Sequence, residues 1–484
     1  MQQLNRYNIV DSSSRVPKVL QFGGGNFLKA FVDWMVQRLN ETCHYQGSVV
    51  LVKPTKGGDY TGLRSQDGLF HVVTSGFAKG QVINEVELVS CVDQIIQPYD
   101  NYDQFLQTAH LPELRIIVSN TTESGIIYEA AALSNSVPNS FPGKLCVWLK
   151  NRFDHFKGSP DSGCIILPCE LIEENGSKLK EMVLLHARDW KFGDEFKQWI
   201  EVHHMFCNTL VDRIVPGRPD DQSLRQYQET VGYEDDQMVV GEPYHLWAIE
   251  GPAWIDDVFP LSKAGINAVI TDDLAPYRLQ KVRLLNGGHT SMVPIGLLMG
   301  IETVGEFVED PVMGSFLKNT MHTEIIPSIK SISSEQLTDY MSDVLDRFKN
   351  PFVKHKLSSI ALNSLSKFVV RILPSIEQYQ KSEGKLPERL MLSFAALIKF
   401  YQGTFNGEDL PVKDDPDLVN ILQDQWRKKD QGEINLFHLC ENILSDKKLW
   451  GRNLNEINNL KIHLAGALEI IERGDLEEEI ARLA

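Results

Sequence analysis

Short apolar runs alternate with amphipathic segments up to about residue 271 of the chain. Four runs are continuous rather than alternating, and each is predicted to be a strand: residues 16–22 (VPKVLQF), 48–52 (SVVLV), 114–119 (LRIIVS) and 164–167 (CIIL). Strands buried on both faces have this pattern, which favours a parallel sheet with helices on both sides. After the first run, apolar residues spaced by three and four predict an amphipathic helix over residues 27–39. The first part of the chain is therefore predicted to be an α/β domain.

The pattern changes near residues 272–273, after which helical periods follow one another. Asn350 and Pro351 open one predicted helix, whose apolar positions keep helical spacing as far as residue 372. Residues 390–401 are more uniformly apolar and stop before Gly403, which is typical of a buried central helix. We therefore predict two domains, an α/β domain over residues 1–271 and an all-helical domain over residues 272–484.

The charge balance limits the partners. Lys and Arg number 48 against 65 Asp and Glu in 484 residues, so the formal net charge is −17. Such a field repels polyanions, and nucleic acid is not an expected partner, whereas a small anionic substrate needs only a local basic pocket. No apolar run reaches the ~18–20 residues of a membrane-spanning helix, so no membrane partner is expected. Nothing in the sequence sets the oligomeric state.

The cysteines indicate a compartment. There are seven, scattered and without a C-x-x-C pair, and the N-terminus lacks the layout of a secretion signal. A disulfide framework is therefore not expected, and the cytoplasm is the predicted location. His203, His204 and Cys207 have loosely metal-like spacing, but no second ligand pair follows, so no metal is expected.

Three glycines follow the first predicted strand and precede the first helix, between Gln21 and Leu28. A dinucleotide-binding turn needs this context, because glycine lets the backbone approach a pyrophosphate and the helix start supplies free N–H groups. Leu28 stands where the usual G-x-G-x-x-G pattern has its third glycine, and a plain strand-to-helix turn is the alternative. After the second strand, Lys53 replaces the usual acidic residue, which on local charge favours NADP over NAD.

Three polar residues share one side of the helix predicted over residues 277–289. At about 100° per residue, Lys281, Asn286 and His289 fall within about 140° of one another. This set suits the interconversion of an alcohol and a ketone: the amine exchanges the hydroxyl proton, the amide stabilises an alkoxide and the imidazole orients its partners. The alternatives are a polar helix face without chemistry and a helix that ends at Gly287 and Gly288.

Several stretches resemble the long-chain, metal-independent polyol dehydrogenases of the mannitol dehydrogenase family. They are FGGGNFLKAFVDW (residues 22–34), SNTTESGI (119–126), PCELIEENG (168–176), TLVDRIVPG (209–217), KVRLLNGGH (281–289) and RFKNPFVKHKLSSIALN (347–363). The resemblance extends over nearly the whole chain and is closer to the branch that reduces keto-uronates. It implies a Rossmann-type N-terminal domain, a helical C-terminal domain, an active site between them, and NAD(H) as cofactor in preference to the hint from Lys53.

The resemblance also implies roles for individual residues. Lys281 corresponds to the general acid/base, Asn286 to the oxyanion site, and His289 to the histidine of the same helix. Asp212, in the V-D-R-I segment, and Lys367, on a later helix, correspond to positions near the substrate. Cofactor binding is expected in the glycine turn and in the loop after the third strand: Phe22, Gly23, Gly24, Gly25, Asn26, Phe27, Ser119, Asn120 and Thr121.

Two departures from the family bear on the substrate. Polyol-oxidising members carry a second asparagine where this chain has Leu171, and an arginine where it has Ser359. Leu171 donates no hydrogen bond, so a neutral polyol is disfavoured and a keto-uronate stays compatible. The expected reaction is reduction of tagaturonate by NADH to altronate. Reduction of fructuronate to mannonate is the first alternative, and a nucleotide-binding protein without catalysis is the second.

The substrate carboxylate gives a further expectation. Ser359, Asn363, Lys367 and Arg371 recur every four residues and would form one polar stripe on the helix predicted from residue 351. In so acidic a protein, we expect Lys367, helped by Arg371 or by Lys354, to supply the positive charge that holds the carboxylate. A solvated helix face is the alternative.

Overall fold

The computed structural model describes residues 1–9, 14–58, 60–122, 124–134, 136–352 and 354–484. The chain divides into two compact units. The first comprises residues 1–76 and 82–274, and the second comprises residues 77–81 and 275–484. No helix in the described part of the chain combines the length and apolar character needed to cross a membrane.

The first unit is built on a parallel sheet. Up to residue 274 the described strands are, in chain order, β1 Gln2–Gln3, β2 Val16–Phe22, β3 Gly47–Val52, β4 Phe70–Ala78, β5 Gln81–Val89, β6 Val92–Ile96, β7 Ile116–Ser119, β8 Ile165–Pro168, β9 Met205–Phe206, β10 Thr209–Asp212, β11 Tyr233–Glu234, β12 Val239–Gly241, β13 Leu246–Glu250 and β14 Ala268–Thr271. Six of them form one sheet in the order β6-β3-β2-β7-β8-β9, with every described pairing parallel. The parallel sheet predicted from the continuous apolar runs is confirmed.

Helices cover both faces of this sheet. The helices of the first unit are α1 Asn26–Leu28, α2 Trp34–Cys43, α3 Thr61–Ser65, α4 Tyr102–Gln107, α5 Phe141–Phe156, α6 Asn175–Asp189, α7 Asp194–His203, α8 Asp221–Val231 and α9 Ile255–Val258. Successive residues of β3 alternate between two apolar clusters: Val49 belongs to the cluster that contains Phe31, and Val50 belongs to the cluster that contains Trp148 of α5. All six residues of β3 are buried as a result.

The order of the strands places the glycine turn at a special point. The chain leaves β2 toward β3 on one side and returns to β7 on the other side of β2. Phe22, at the end of β2, is level with Val52 of β3 and Ser119 of β7, and Ser119 is level with Pro168 of β8. Open parallel sheets bind ligands where the strand order reverses in this way, outside the carboxyl ends of the strands.

The second unit is helical, as predicted. Its helices are α10 Ala275–Gln280, α11 Gly287–Leu298, α12 Val304–Glu309, α13 Pro311–Thr320, α14 Ser334–Phe348, α15 Leu357–Ile360, α16 Ser364–Arg371, α17 Leu373–Glu383, α18 Glu388–Phe400, α19 Pro416–Asp430, α20 Leu436–Ser445, α21 Lys447–Trp450, α22 Leu460–Arg473 and α23 Leu476–Leu483, with two short strands, β15 Thr404–Phe405 and β16 Glu408–Asp409. The apolar helix α18 is buried from Leu390 to Phe400 and packs against α11 and α22. It forms the centre of this unit.

Turns of π-helix interrupt three helical segments, at Lys29–Asp33, Lys281–Asn286 and Met321–Ile325. The first joins α1 to α2, so one helical segment runs from Asn26 to Cys43. The second joins α10 to α11. Such wide turns recur at functional sites.

The helix predicted from residue 351 to residue 372 is wrong. The structure divides this segment into α15 and α16, because Asn363 adopts a left-handed conformation (φ 55°) between them. The Asn363 N–H donates to the Lys413 carbonyl at 3.0 Å instead of continuing the helix. Ser359 and Arg371 therefore do not lie on one straight helix, and the predicted four-residue stripe does not form.

Candidate active site

The glycine turn is tightly enclosed at its first two positions. Gly23 has φ 116° and donates its N–H to the Val52 carbonyl at 3.0 Å. A Cβ atom on Gly23 would lie 3.0 Å from the Asn120 carbonyl oxygen, and one on Gly24 would lie 3.0 Å from Leu51 Cδ1. The backbone conformation at Gly23 favours glycine, and a Cβ atom at either position would force its neighbour to shift.

Gly25 differs from the other two glycines. It is extended (φ −72°, ψ 167°) and caps the helical segment that starts at Asn26. A Cβ atom on Gly25 would meet no atom within 4 Å. The first N–H groups of a helix point along its axis with a partial positive charge, so the backbone here can accept a pyrophosphate. Phe27 stacks on Phe31 at 4.9 Å.

Two buried residues, Gln21 and Asp33, stabilise the glycine turn. The Gln21 amide donates to the Gly23 carbonyl at 3.1 Å and to Asp33 Oδ2 at 3.3 Å. Asp33 is fully buried, and this burial raises the pKa of its carboxyl to about 7. The Phe22 side chain also lies in the core, 4.9 Å from the Phe141 ring. Only the Phe22 backbone faces the turn, where its carbonyl accepts from Asn120 N at 3.1 Å.

The loop after β7 is held by a carboxylate that the sequence did not single out. Glu170 Oε1 accepts from the Thr121 N–H and the Thr121 hydroxyl, both at 2.9 Å, and Glu170 Oε2 accepts from the Ser119 hydroxyl at 3.0 Å. Glu170 is almost fully buried, which raises its pKa, while these hydrogen bonds act in the opposite direction. The Ser119–Thr121 loop is thereby fixed beside the glycine turn. A carboxylate two residues beyond a strand end of a parallel sheet is a position the sequence could have flagged.

Two other positions of the first unit, Lys53 and Leu171, bear on expectations about the cofactor and the substrate. Lys53 is buried, and its ammonium donates to the Thr55 and Gly57 carbonyls at 2.6 and 2.7 Å. It therefore holds its own loop, and the charge argument for NADP loses its basis. Leu171 is 65% exposed, and as an apolar side chain it offers no hydrogen bond.

Asp212 ends β10, where it is level with Leu246 of β13 and buried. The neighbouring Arg213 is a structural residue. Its guanidinium lies 4.4 Å over the Trp34 ring and donates to the Glu242 carbonyl at 2.8 Å. The β10–β13 ladder thus fixes the position of Asp212 within the first unit.

In the second unit, Lys281 and Asn286 are the first and last residues of a π-helical turn, and His289 lies in the α-helix that follows. The helix does not end at Gly287 and Gly288, so the alternative of a helix stop is wrong. A Cβ atom on Gly288 would lie 3.4 Å from both Met321 Sδ and a Phe348 ring carbon. Both glycines therefore lie inside a continuous helix, and Gly288 packs beside Met321 and Phe348. Because a π-turn has more residues per turn than an α-helix, the angles expected at 100° per residue do not apply.

His289 is buried, with 9% of its surface exposed, and its Nε2 has no hydrogen-bond partner among the described residues. Its ring packs 4.3 Å from the Phe348 ring and 5.1 Å from the His355 ring. Burial lowers the pKa of His289 well below its usual value, and nearby cationic groups lower it further: His355, Arg347, Arg371 and Lys367. The imidazole is therefore neutral at pH 7.

Lys367 and Arg371 lie one turn apart on α16. Arg371 Nη1 donates to the hydroxyl of Thr290 at 3.3 Å, and Thr290 directly follows His289 in the chain. Lys367 Nζ donates to the Ile360 carbonyl at 2.9 Å. The structure thus brings both predicted cations into the surroundings of His289, through α16 rather than through one long helix. Neither Thr290 nor His355 was singled out from the sequence, although His355 lies within the stretch 347–363 that carries the family resemblance.

Family comparisons agree with these two units. Residues 17–263 match the mannitol dehydrogenase Rossmann domain, and residues 273–472 match the mannitol dehydrogenase C-terminal domain. The chain is 43% identical to altronate oxidoreductase of Bacillus subtilis (strain 168) over 467 residues, which is 96% of this chain and 95% of the relative. It is 40% identical to altronate oxidoreductase of Shigella flexneri over 477 residues, 98% of each chain.

Two solved structures share the fold. A D-sorbitol dehydrogenase in substrate-free form has a TM-score of 0.80 at 21% identity, covering 99% of this chain and 100% of its own. Mannitol 2-dehydrogenase of Pseudomonas fluorescens, in a ternary complex with NAD and D-mannitol, has a TM-score of 0.64 at 21% identity, covering 100% of this chain and 99% of its own. At this identity the likeness shows the fold.

Proposed function

The chain belongs to the mannitol dehydrogenase family, and from this premise we propose that it is an NAD-dependent oxidoreductase that reduces tagaturonate to altronate. In this reaction a ketone carbon gains a hydride and its oxygen gains a proton, so one keto-uronate, one NADH and one proton give one aldonate and one NAD⁺. The curated relatives named altronate oxidoreductase support this substrate pair.

The residues of the first unit fit a dinucleotide. The Gly25 backbone and the helix start at Asn26 would take the pyrophosphate, because a Cβ atom there would meet no protein atom within 4 Å. The loop of Ser119 and Thr121 would border the same cofactor at the carboxyl edge of the sheet. When bound, NADH supplies the hydride. We prefer NAD to NADP because the Lys53 ammonium is occupied by its own loop.

The proton chemistry is assigned to the second unit. Lys281 donates a proton to the ketone oxygen during reduction and takes it back during oxidation. The Asn286 amide donates a hydrogen bond to the same oxygen while it carries alkoxide character. Both residues bound one π-turn, and this shared turn sets their relative placement.

The single observation that carries the proposal is the state of His289. A buried neutral imidazole with an unpartnered Nε2 costs free energy in a folded protein unless a ligand completes it. His289 lies on the helical segment that also carries Lys281 and Asn286, and we assign its imidazole to orient a substrate hydroxyl. The proposed ligand is a small molecule. The seven free cysteines support a reducing compartment, the cytoplasm, as the location of the protein.

The test is a substrate panel with purified protein. Tagaturonate, fructuronate and the neutral ketose fructose are each offered with NADH and with NADPH, and loss of absorbance at the nicotinamide band is followed. We expect the highest kcat/KM with tagaturonate and NADH. A higher value with fructuronate assigns the sister reaction, and no turnover with any keto-uronate overturns the proposal.

A further inference from the structure

We propose that Arg371 binds the substrate carboxylate and thereby selects a sugar acid over a neutral sugar. This inference rests on the proposed function and names the residue that sets its substrate class.

The first reason is position. Arg371 is the last residue of α16, and its carbonyl oxygen lies 3.6 Å from where a Cβ atom on Gly287 would stand. Its guanidinium donates to the Thr290 hydroxyl, which in turn donates to the Asn286 carbonyl at 2.8 Å. Arg371 is therefore tied to the same turns of helix that carry Asn286 and His289.

The second reason is charge. Arg371 is half-buried, and this burial lowers its pKa with no acidic group acting against it. Within the described residues its one hydrogen bond goes to the neutral Thr290 hydroxyl. Removing a cation from water without an opposing charge is unfavourable. In a chain of net charge −17, a guanidinium kept apart from carboxylates fits a role in which the ligand brings the carboxylate.

The third reason separates Arg371 from Lys367. The Lys367 ammonium already donates to the Ile360 carbonyl. Burial and Arg371 lower the pKa of Lys367, but Asp414 acts on it in the opposite direction, so this cation has an acidic neighbour. A guanidinium also presents two parallel N–H donors that match a carboxylate, whereas an ammonium does not. The carboxylate is thus assigned to Arg371 rather than to Lys367, the residue favoured from the sequence.

The helix that carries Arg371 is firmly anchored. The buried Tyr401 hydroxyl donates to Asp414 and accepts from the Leu365 N–H at 3.2 Å, in the first turn of α16. This arrangement fixes the start of α16. A cation on a rigid element holds its geometry before the ligand arrives, which favours selective binding.

The competing explanation is that Arg371 only complements the dipole at the C-terminal end of its own helix. In that case its replacement lowers thermal stability but leaves the preference for an acid unchanged. The two explanations therefore differ in one measurable quantity, the ratio of affinities for an acid and its neutral counterpart.

The experiment measures binding of altronate and of the neutral polyol altritol to the NADH-saturated protein by titration calorimetry. Arg371→Met is expected to weaken altronate binding by about 10- to 150-fold, the loss of one charge-assisted hydrogen-bonded pair, and to leave altritol and NADH binding unchanged. Arg371→Lys should recover part of the loss. Lys367→Met is the matched variant, and we expect it to weaken both sugars alike.

Equal losses for altronate and altritol in Arg371→Met, or no loss, overturn the inference. If Arg371→Met does not fold, Thr290→Val decides, because it releases the guanidinium without removing it and should weaken altronate alone. The proposed function fails separately: a wild-type protein that binds altronate through Arg371 but turns over no keto-uronate keeps the anion site and loses the reaction.

Discussion

The Glu170 carboxylate holds Thr121 by two hydrogen bonds of 2.9 Å, one from the backbone N–H and one from the hydroxyl. Its other oxygen holds the Ser119 hydroxyl. The loop between them contains Asn120, whose carbonyl oxygen would lie 3.0 Å from a Cβ atom on Gly23. One buried side chain on the loop after β8 thus fixes the Ser119–Thr121 loop, which lies beside the glycine turn.

Replacing Glu170 by Leu should raise the Kd for NADH about 10-fold or more, because three hydrogen bonds to one buried carboxylate are lost together. Glu170→Gln should remain near the wild type, since its amide oxygen can accept from Thr121 and its NH₂ can donate to Ser119. Fluorescence titration with NADH measures both. Wild-type affinity in a folded Glu170→Leu protein would contradict the positioning role.

Lys281→Ala is expected to lower kcat by at least ~10²-fold, the contribution of a general acid, with little change in NADH binding. Steady-state kinetics with tagaturonate measures this. Lys281→Arg is the informative control, because it keeps the charge but gives up its proton poorly. Recovery of turnover in Lys281→Arg would show that Lys281 acts through charge alone.

Asn286→Ala is expected to lower kcat by about 10²–10³-fold, the usual cost of removing one donor to a developing oxyanion. The reason is that its hydrogen bond strengthens only as the ketone oxygen gains charge. The kcat and KM values for tagaturonate separate the cases. A rise confined to KM would make Asn286 a contact of the bound substrate instead.

Gly25→Val should raise the NADH Kd sharply, because the added side chain occupies the space through which the pyrophosphate approaches the backbone. The protein should still fold, since a Cβ atom on Gly25 meets no protein atom within 4 Å. Gly305→Val is the matched control, since a Cβ there also meets no atom within 4 Å. Circular dichroism checks folding. Unchanged NADH affinity in Gly25→Val would place the cofactor elsewhere.

Asp33 makes the stability depend on pH. Its pKa is raised by burial from 3.8 to about 7 in the folded protein, so between these values the folded state binds more protons than the unfolded chain. The free energy of unfolding should therefore fall as pH rises from about 4 to about 7, at roughly 1.4 kcal/mol per pKa unit of difference. Urea midpoints at pH 5 and pH 8 measure this.

Asp33→Asn should remove much of that pH dependence, because an amide carries no titrating proton. Asp103→Asn, a change at an exposed position, should leave it in place. An equal fall in urea midpoint for the wild type and Asp33→Asn would assign the dependence to other groups.

Local patterns carried most of the fold. The strand of residues 16–22 was predicted with its observed bounds, and the helical second unit followed from periodicity. The prediction that failed was the single helix from residue 351. Its apolar spacing continues across Asn363, although the helical conformation of the backbone is interrupted there. A left-handed residue leaves the spacing of its neighbours unchanged, so periodicity cannot reveal it, and the asparagine was the one available signal.

The candidate residues Lys281, Asn286 and His289 were chosen from their types and from their spacing on a predicted α-helix. The structure keeps all three on one continuous helical segment, but it adds a π-turn that the spacing did not predict. The sequence also specified the glycine turn, because a strand, three glycines and a helix are consecutive in the chain. Whether Lys53 is available, which carboxylate holds Thr121, and which cation near His289 keeps an unpaired charge depend on contacts between residues far apart in the chain. Burial and pairing are set by those contacts, so only the tertiary structure decided that Lys53 is occupied and that Arg371 is not paired with an acid among the residues described.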